Sequence, residues 1–187
     1  MELYSQNYLR LLEGVHSTTK RGFGNKVKKI KAFEACIEKW KPRSLLDYGC
    51  GKGAMLQQLR QKYPHLHCLG YDPAVNIYCQ KPKQKFDVVF CNDVLEHVEP
   101  LYLDNVLKFI EHHSEKYAWL RIDTQPANKI LTDGRNAHLI IENEDWWRER
   151  LQFALQMKIT RMYTNKKQRI DVELVHGQTY TRRIVNI

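Results

Sequence analysis

The stretch Leu45-Leu46-Asp47-Tyr48-Gly49-Cys50-Gly51-Lys52-Gly53 limits most severely what this chain can fold into. Two apolar residues lead into an acid, and glycines then take alternate positions. This pattern predicts a buried strand that turns sharply and feeds a helix. Glycine permits φ > 0 and lets a ligand lie against bare backbone. Met55, Leu56, Leu59 and Tyr63 follow on one face at helical spacing, and Pro64 stops the helix. In open α/β sheets a ligand lies at such strand ends.

Two ligands suit the turn. Gly49, Gly51 and Ala54 satisfy the dinucleotide fingerprint, and Asp72 lies about twenty residues on, where an NAD ribose acid would sit. Against NAD stands Asp47, two residues before the first glycine. A carboxylate there repels a pyrophosphate but suits the positively charged end of a methionine moiety. Gly53 adds a third glycine. The stretch resembles motif I of the class I S-adenosylmethionine (SAM)-dependent methyltransferases. A second match lies downstream: the apolar run 86–91 opens into Asn92-Asp93-Val94-Leu95-Glu96-His97-Val98, similar to the D-V-L-E-H-V signature of the family's motif IV region.

The resemblance is tight at motif I and looser over most of the chain. It implies an α/β fold: a Rossmann-like, doubly wound, mostly parallel sheet closed by an antiparallel terminal hairpin. It also implies that Asp47, Gly49, Cys50, Gly51, Asp72 and Pro73 hold SAM, with Asn92 and Asp93 beside its methionine or adenosine portion and S-adenosylhomocysteine (SAH) as product. In the family the acid at Asp72 accepts hydrogen bonds from the ribose hydroxyls. One departure follows from length. Only residues 73–85 separate Asp72 from the next strand, where the family fits a helix, a strand and a helix. A parallel crossover alone takes about a dozen residues. The third strand is therefore expected to be reduced or missing, and no residue of 74–85 is assigned to adenine.

The length of 187 residues suits a single domain, with residues 1–40 as an N-terminal helical cap and 41–187 as the core. With 43% apolar residues and a mean hydropathy of −0.58, the chain has no run of the eighteen or so residues that span a bilayer. Glu2, Gln6, Asn7 and Arg10 interrupt any signal-peptide core. Cys36, Cys50, Cys68, Cys79 and Cys91 are odd in number and form no C-x-x-C pair, so reduced, mostly buried thiols and a cytoplasmic location are expected. The net charge of +9 admits nucleic acid as a partner. Yet no stacking aromatics interleave the basic clusters at 20–21, 26–31, 81–85 and 166–169. A small molecule is the expected acceptor, and no membrane partner is expected.

Residues 3–13 suggest a short amphipathic helix, and 16–24 a polar loop. Asn25 suits the N-cap of a helix running to Trp40, with Ile30, Phe33, Ile37 and Trp40 on one face. Residues 66–71 and 117–122 read as strands, and Leu103, Val106, Leu107 and Ile110 as a helix face between them. Residues 123–136 form a long loop that suits a substrate wall. Residues 144–153 are helical in tone, and alternation in 155–163 and 170–175 suggests the hairpin.

Methyl transfer from a sulfonium is an in-line displacement that needs a positioned nucleophile and, for some acceptors, a base. His97, His138 and Glu96 are the candidates for that work. A helix beginning at Asp93 would put Asp93, Glu96 and His97 on one face. Together with His138 they resemble the divalent-metal sites of small-RNA 2′-O-methyltransferases and of quinone-pathway O-methyltransferases, although those branches mostly carry glutamate at the first position. Alternatively Asp93 simply N-caps the helix, with Glu96 completing a capping-box pair. A metal is not expected to be required. The expected activity is SAM-dependent transfer to an oxygen or nitrogen of a small molecule. The alternatives are an RNA 2′-O-methyltransferase and an inactive SAM-binding partner subunit.

Overall fold

A computed structural model describes residues 1–17 and 31–177. The expected loop from residue 18, the Asn25 cap, Ile30 and the basic residues 20–30 lie outside the described residues. The helices are α1 (Gln6–Ser17), α2 (Lys31–Trp40), α3 (Ala54–Lys62), α4 (Leu103–His113) and α5 (Glu144–Ala154). The strands are β1 (Ser44–Tyr48), β2 (His67–Tyr71), β3 (Phe86–Asn92), β4 (Ser114–Asp123), β5 (Lys158–Thr164) and β6 (Arg169–Val175).

The six strands form one sheet in the order β2-β1-β3-β4-β6-β5. β2, β1, β3 and β4 run parallel, whereas β6 lies antiparallel to both β4 and β5. Helices cover both faces, so the central strands are apolar almost without interruption. Leu45, Val88, Phe90 and Trp119 point to one face, against Phe33 and Ile37 of α2 and Leu56 and Leu59 of α3. Their neighbours Leu46, Val89, Cys91 and Leu120 point to the other, against Val106, Leu107 and Ile110 of α4 and Trp147 and Leu151 of α5. Alternation along each strand thus splits one apolar run between two cores.

Among the described residues no strand lies beyond β2, which pairs only with β1 and forms the sheet edge. The third strand of the family is missing, as the short spacer predicts. In its place stand a single 3₁₀ turn at Asn76–Tyr78 and an irregular return to β3. That return is tied to α4, because the His113 ring lies between the carbonyls of Phe109 (2.8 Å) and Pro82 (3.1 Å).

Two expected elements differ. The first helix starts and ends later than residues 3–13, because Ser5 Oγ accepts from the Tyr8 N–H at 3.1 Å and caps it there. The helix expected from Asp93 does not form. Asp93 adopts φ 53°, and its N–H donates to the Arg121 carbonyl at 2.9 Å, carrying the β3–β4 ladder one residue further. Only a three-residue 3₁₀ turn, Leu95–His97, follows, and it has no side-chain cap. Asp93 is therefore neither on a helical face with Glu96 and His97 nor an N-cap.

Packing of α3 on β2 is close at Gly70. A Cβ built there would meet Leu56 Cδ1 at 2.4 Å and Cys50 Sγ at 2.8 Å. Gly70→Ala should destabilise the domain by about 1–3 kcal/mol through overpacking. Urea unfolding of the ligand-free protein measures this, and an unchanged midpoint would contradict the close fit.

Candidate active site

The glycine turn after β1 is drawn onto the end of β2. The N–H groups of Gly49 and Cys50 both donate to the Tyr71 carbonyl, at 2.8 and 3.3 Å. Asp72 completes the junction: its Oδ2 accepts from the Gly51 N–H at 2.9 Å and its Oδ1 from the Ala74 N–H at 3.0 Å. Gly49 is needed for two reasons. Its φ is 74°, and a Cβ there would meet Val94 Cγ2 at 2.4 Å. The sharp turn at Asp93 thus seats Val94 directly on the glycine.

Between these strand ends and α1 lies a cleft partly open to solvent. Tyr48, Gly49, Asp72 and Pro73 line its floor, and Asp93, Val94, His97, Val98 and Glu99 one wall. The roof comes from Leu3, Tyr4, Tyr8, Leu12 and His16. α1 is tied down across it. Ser5 donates through its N–H and Oγ to the Glu99 carboxylate (2.8 and 2.9 Å), and the Tyr8 hydroxyl donates to the His97 carbonyl at 2.5 Å.

Of the residues expected from the sequence, Gly49, Asp72, Pro73, Asp93 and His97 line the cleft. Asp47, Cys50, Gly51 and Asn92 stand behind its surface: Gly51 through its bond to Asp72, Cys50 packed under Gly70, and Asn92 in the ladder opposite Arg121. Asp47 is 2% exposed, and its Oδ2 has no hydrogen-bond partner among the described residues. Burial, reinforced by Asp72, holds its pKa well above the usual carboxylate range. Burial also raises Asp72, against the pull of His16 and the two backbone amides.

Glu96 and His138 lie beyond the cleft lining, where they meet His97. One ligand-type atom of each of the three lies within 4.8 Å of the others. The His97 and His138 rings stand edge to face, 4.7 Å apart between centroids. His97 Nδ1 lies 2.6 Å from the Ala137 carbonyl, and His138 Nδ1 meets the Gln125 carbonyl, so both rings carry their proton on Nδ1. Glu96 is fully buried. Its Oε1 accepts from the Asp123 N–H at 3.1 Å, while its Oε2 has no hydrogen-bond partner among the described residues. Its pKa is raised by burial and then by Asp93. Asp93 turns instead toward Arg169, whose Nη1 lies 3.7 Å from Asp93 Oδ2.

Sequence reasoning missed Tyr4, Tyr8 and His16 and the place of this segment as the roof. Tyr4, Tyr8, Leu12 and His16 recur at intervals of four and face one way, but counting apolar residues alone skips a stripe that mixes aromatic and imidazole rings. Arg169, read as part of a surface basic cluster, was missed as well.

The parallel sheet with a reversed hairpin, the glycine turn and the acid at the next strand end define a nucleoside-type ligand cleft on a Rossmann-like fold. The family model described as a methyltransferase domain matches residues 19–166. The chain belongs to that family, within the class I SAM-dependent methyltransferases. No curated protein matches it. Magnesium protoporphyrin IX methyltransferase (ChlM) from Synechocystis PCC 6803, solved with bound SAM, superposes with a TM-score of 0.58 at 15% identity over 92% of this chain and 99% of that one. The N-methyltransferase NodS from Bradyrhizobium japonicum WM9, in complex with SAH, gives 0.56 at 10% identity over 92% and 100%. An O-methyltransferase family protein from Burkholderia thailandensis gives 0.55 at 12% identity over 92% of this chain, which spans 56% of its length. At these identities the likeness is one of fold. No helix among the described residues is long and apolar enough to cross a membrane.

Burial lowers the pKa of His97 from its ordinary 6.5 to about 4. On acidification the unfolded chain binds this proton first, so the stability due to His97 is complete above pH 6.5 and is lost as pH falls toward 4. His97→Gln should therefore lose less stability than the parent across that range. Urea midpoints of the two proteins against pH measure it, and parallel profiles would contradict a buried neutral imidazole.

Proposed function

We propose that this domain transfers the methyl group of SAM to an oxygen or nitrogen of a small-molecule acceptor, leaving SAH. The observation that carries the reading is the junction at Asp72. A buried carboxylate already joins the glycine turn to the end of β2, and it lines the cleft at the ends of the parallel strands. Each of its oxygens keeps acceptor capacity for the ribose hydroxyls. Gly49, Pro73 and Asp93 would contact the cofactor, while Asp47, Cys50, Gly51 and Asn92 would shape its bed. A sulfonium suits the neighbourhood of two buried acids, Asp47 and Asp72, where a pyrophosphate would be repelled. Leu3, Tyr4 and α1 act as a cap over the cleft, whereas α2 packs into the core of the sheet. The names of similar structures, a magnesium protoporphyrin IX methyltransferase and a coclaurine N-methyltransferase bound to N-methylheliamine among them, support a small-molecule acceptor.

In the transfer step the acceptor's lone pair forms a bond to the methyl carbon as the carbon–sulfur bond breaks, and the sulfur leaves as a neutral thioether. The acceptor's proton goes to His97 Nε2, the acceptor nitrogen of the tautomer that donates from Nδ1 to Ala137. His138 then packs edge to face on the ring, and Glu96 lies beside both. One observation favours a second reading for the same trio. The donors of Glu96, His97 and His138 fit a divalent cation, which would lower the pKa of an acceptor hydroxyl, an RNA 2′-hydroxyl included.

The test is a labelled-methyl screen of extract fractions split into metabolites, RNA, DNA and protein. Label is expected in metabolites. Label confined to RNA would overturn the acceptor class, and SAM binding without transfer to any fraction would make the chain an inactive partner subunit. EDTA should leave the rate unchanged, whereas loss restored by Mn²⁺ or Mg²⁺ would establish the metal reading. By calorimetry, Asp72→Ala should weaken SAM binding by about 1–3 kcal/mol, since a charged acceptor of hydrogen bonds is lost. NAD should not compete, and unchanged SAM affinity would remove Asp72 from the site.

A further inference from the structure

Arg169 opens β6 on the far side of β4 from the glycine turn, with its side chain 19% exposed. Its Nε donates to Asp123 Oδ2 at 3.1 Å, and its Nη1 lies 3.7 Å from Asp93 Oδ2. One guanidinium therefore bridges the carboxylates that end β4 and follow β3. From Asp123 two hydrogen-bond paths run inward. The Asp123 N–H donates to Glu96 Oε1 at 3.1 Å. Asp123 Oδ1 accepts from the Gln125 N–H at 3.1 Å, and the Gln125 carbonyl accepts from His138 Nδ1.

The backbone here is held independently. The Thr124 N–H and Oγ1 both donate to the Gln168 carbonyl, at 3.1 and 2.7 Å, and join the β5–β6 turn to the exit of β4. The guanidinium is thus not needed to hold the hairpin, and its effect falls on the carboxylates. Without it, Asp93 and Asp123 lose the cation that they share, and Arg121 remains as the basic group near Asp93.

We propose that Arg169 is a positioning residue of the site: by bridging Asp93 and Asp123 it sets the Asp123 carboxylate, which holds the Gln125 N–H and through the Gln125 carbonyl orients His138. The consequence for turnover rests on the acceptor-side role proposed above for Glu96, His97 and His138, whereas the orientation itself does not.

The test uses the full chain with Arg169→Gln, Arg169→Lys and, as a control in the same hairpin, Thr164→Val, which removes a bond to Glu144. Long-range ¹⁵N spectra of the histidine rings report which nitrogen carries the proton. Arg169→Gln should lose the single Nδ1–H pattern of His138 and keep that of His97, whose partner is the Ala137 carbonyl. Arg169→Lys should retain the His138 pattern in part, and Thr164→Val fully. On the fraction that the parent protein labels, Arg169→Gln should lower kcat by about tenfold or more. Asp72 keeps its bonds from Gly51 and Ala74, so any rise in the KM for SAM should come through Asp93 and be smaller than the fall in kcat. An unchanged His138 pattern in folded Arg169→Gln overturns the proposal, and so does its loss in Thr164→Val. If no fraction is labelled, the transfer reading fails while the spectra still decide the role of Arg169.

Discussion

Two backbone amides converging on one buried carboxylate hold this structure's working end together. Asp72, 7% exposed, takes the Gly51 N–H from the turn after β1 and the Ala74 N–H from the turn after β2. A carboxylate taken out of water is tolerated only with donors of this kind. The two turns therefore cannot drift apart without stranding it. Much else follows from that junction: where α3 starts, how near Leu56 comes to Gly70, and where Gly49 offers the bare backbone on which Val94 rests.

Around the junction the protein gathers acids that burial disfavours as anions. Asp47, Asp72 and Glu96 all have raised pKa values, with desolvation the first cause in each. Basic groups face them from opposite sides. His16, on α1, pulls Asp72 back down, and Arg169, on β6, faces Asp93 and Asp123. On the proposed reading a sulfonium supplies further positive charge to the same interior. The arrangement is costly in stability without a ligand and favourable with a cationic one, which is how a site selects charge.

The lost third strand changes what encloses the cleft. β2 is left as an edge, and the spacer after Asp72 makes a single 3₁₀ turn before crossing to α4. Enclosure comes instead from α1, laid across the opening by its bonds to Glu99 and His97. A helix held by a few hydrogen bonds over a largely apolar lining opens at lower free energy than a strand zipped into the sheet.

Local chemistry and spacing carried most of the fold. The apolar runs of β1 and β3, the glycine turn, Asp72 at the end of β2, the spacer too short for a strand and the alternating β5 and β6 are signals contained within a few residues. The sequence by itself therefore determined the sheet, the ligand turn and the family. Tertiary structure alone decided the rest. A helix from Asp93 is locally reasonable, but the Arg121 carbonyl captures the Asp93 amide and Val94 is needed against Gly49, so the chain bends there. Tyr8 and Arg169 look like ordinary surface residues until the fold brings them to partners 89 and 46 residues away. Such contacts depend on where packing sets strand ends side by side, and no periodicity along the chain records that distance.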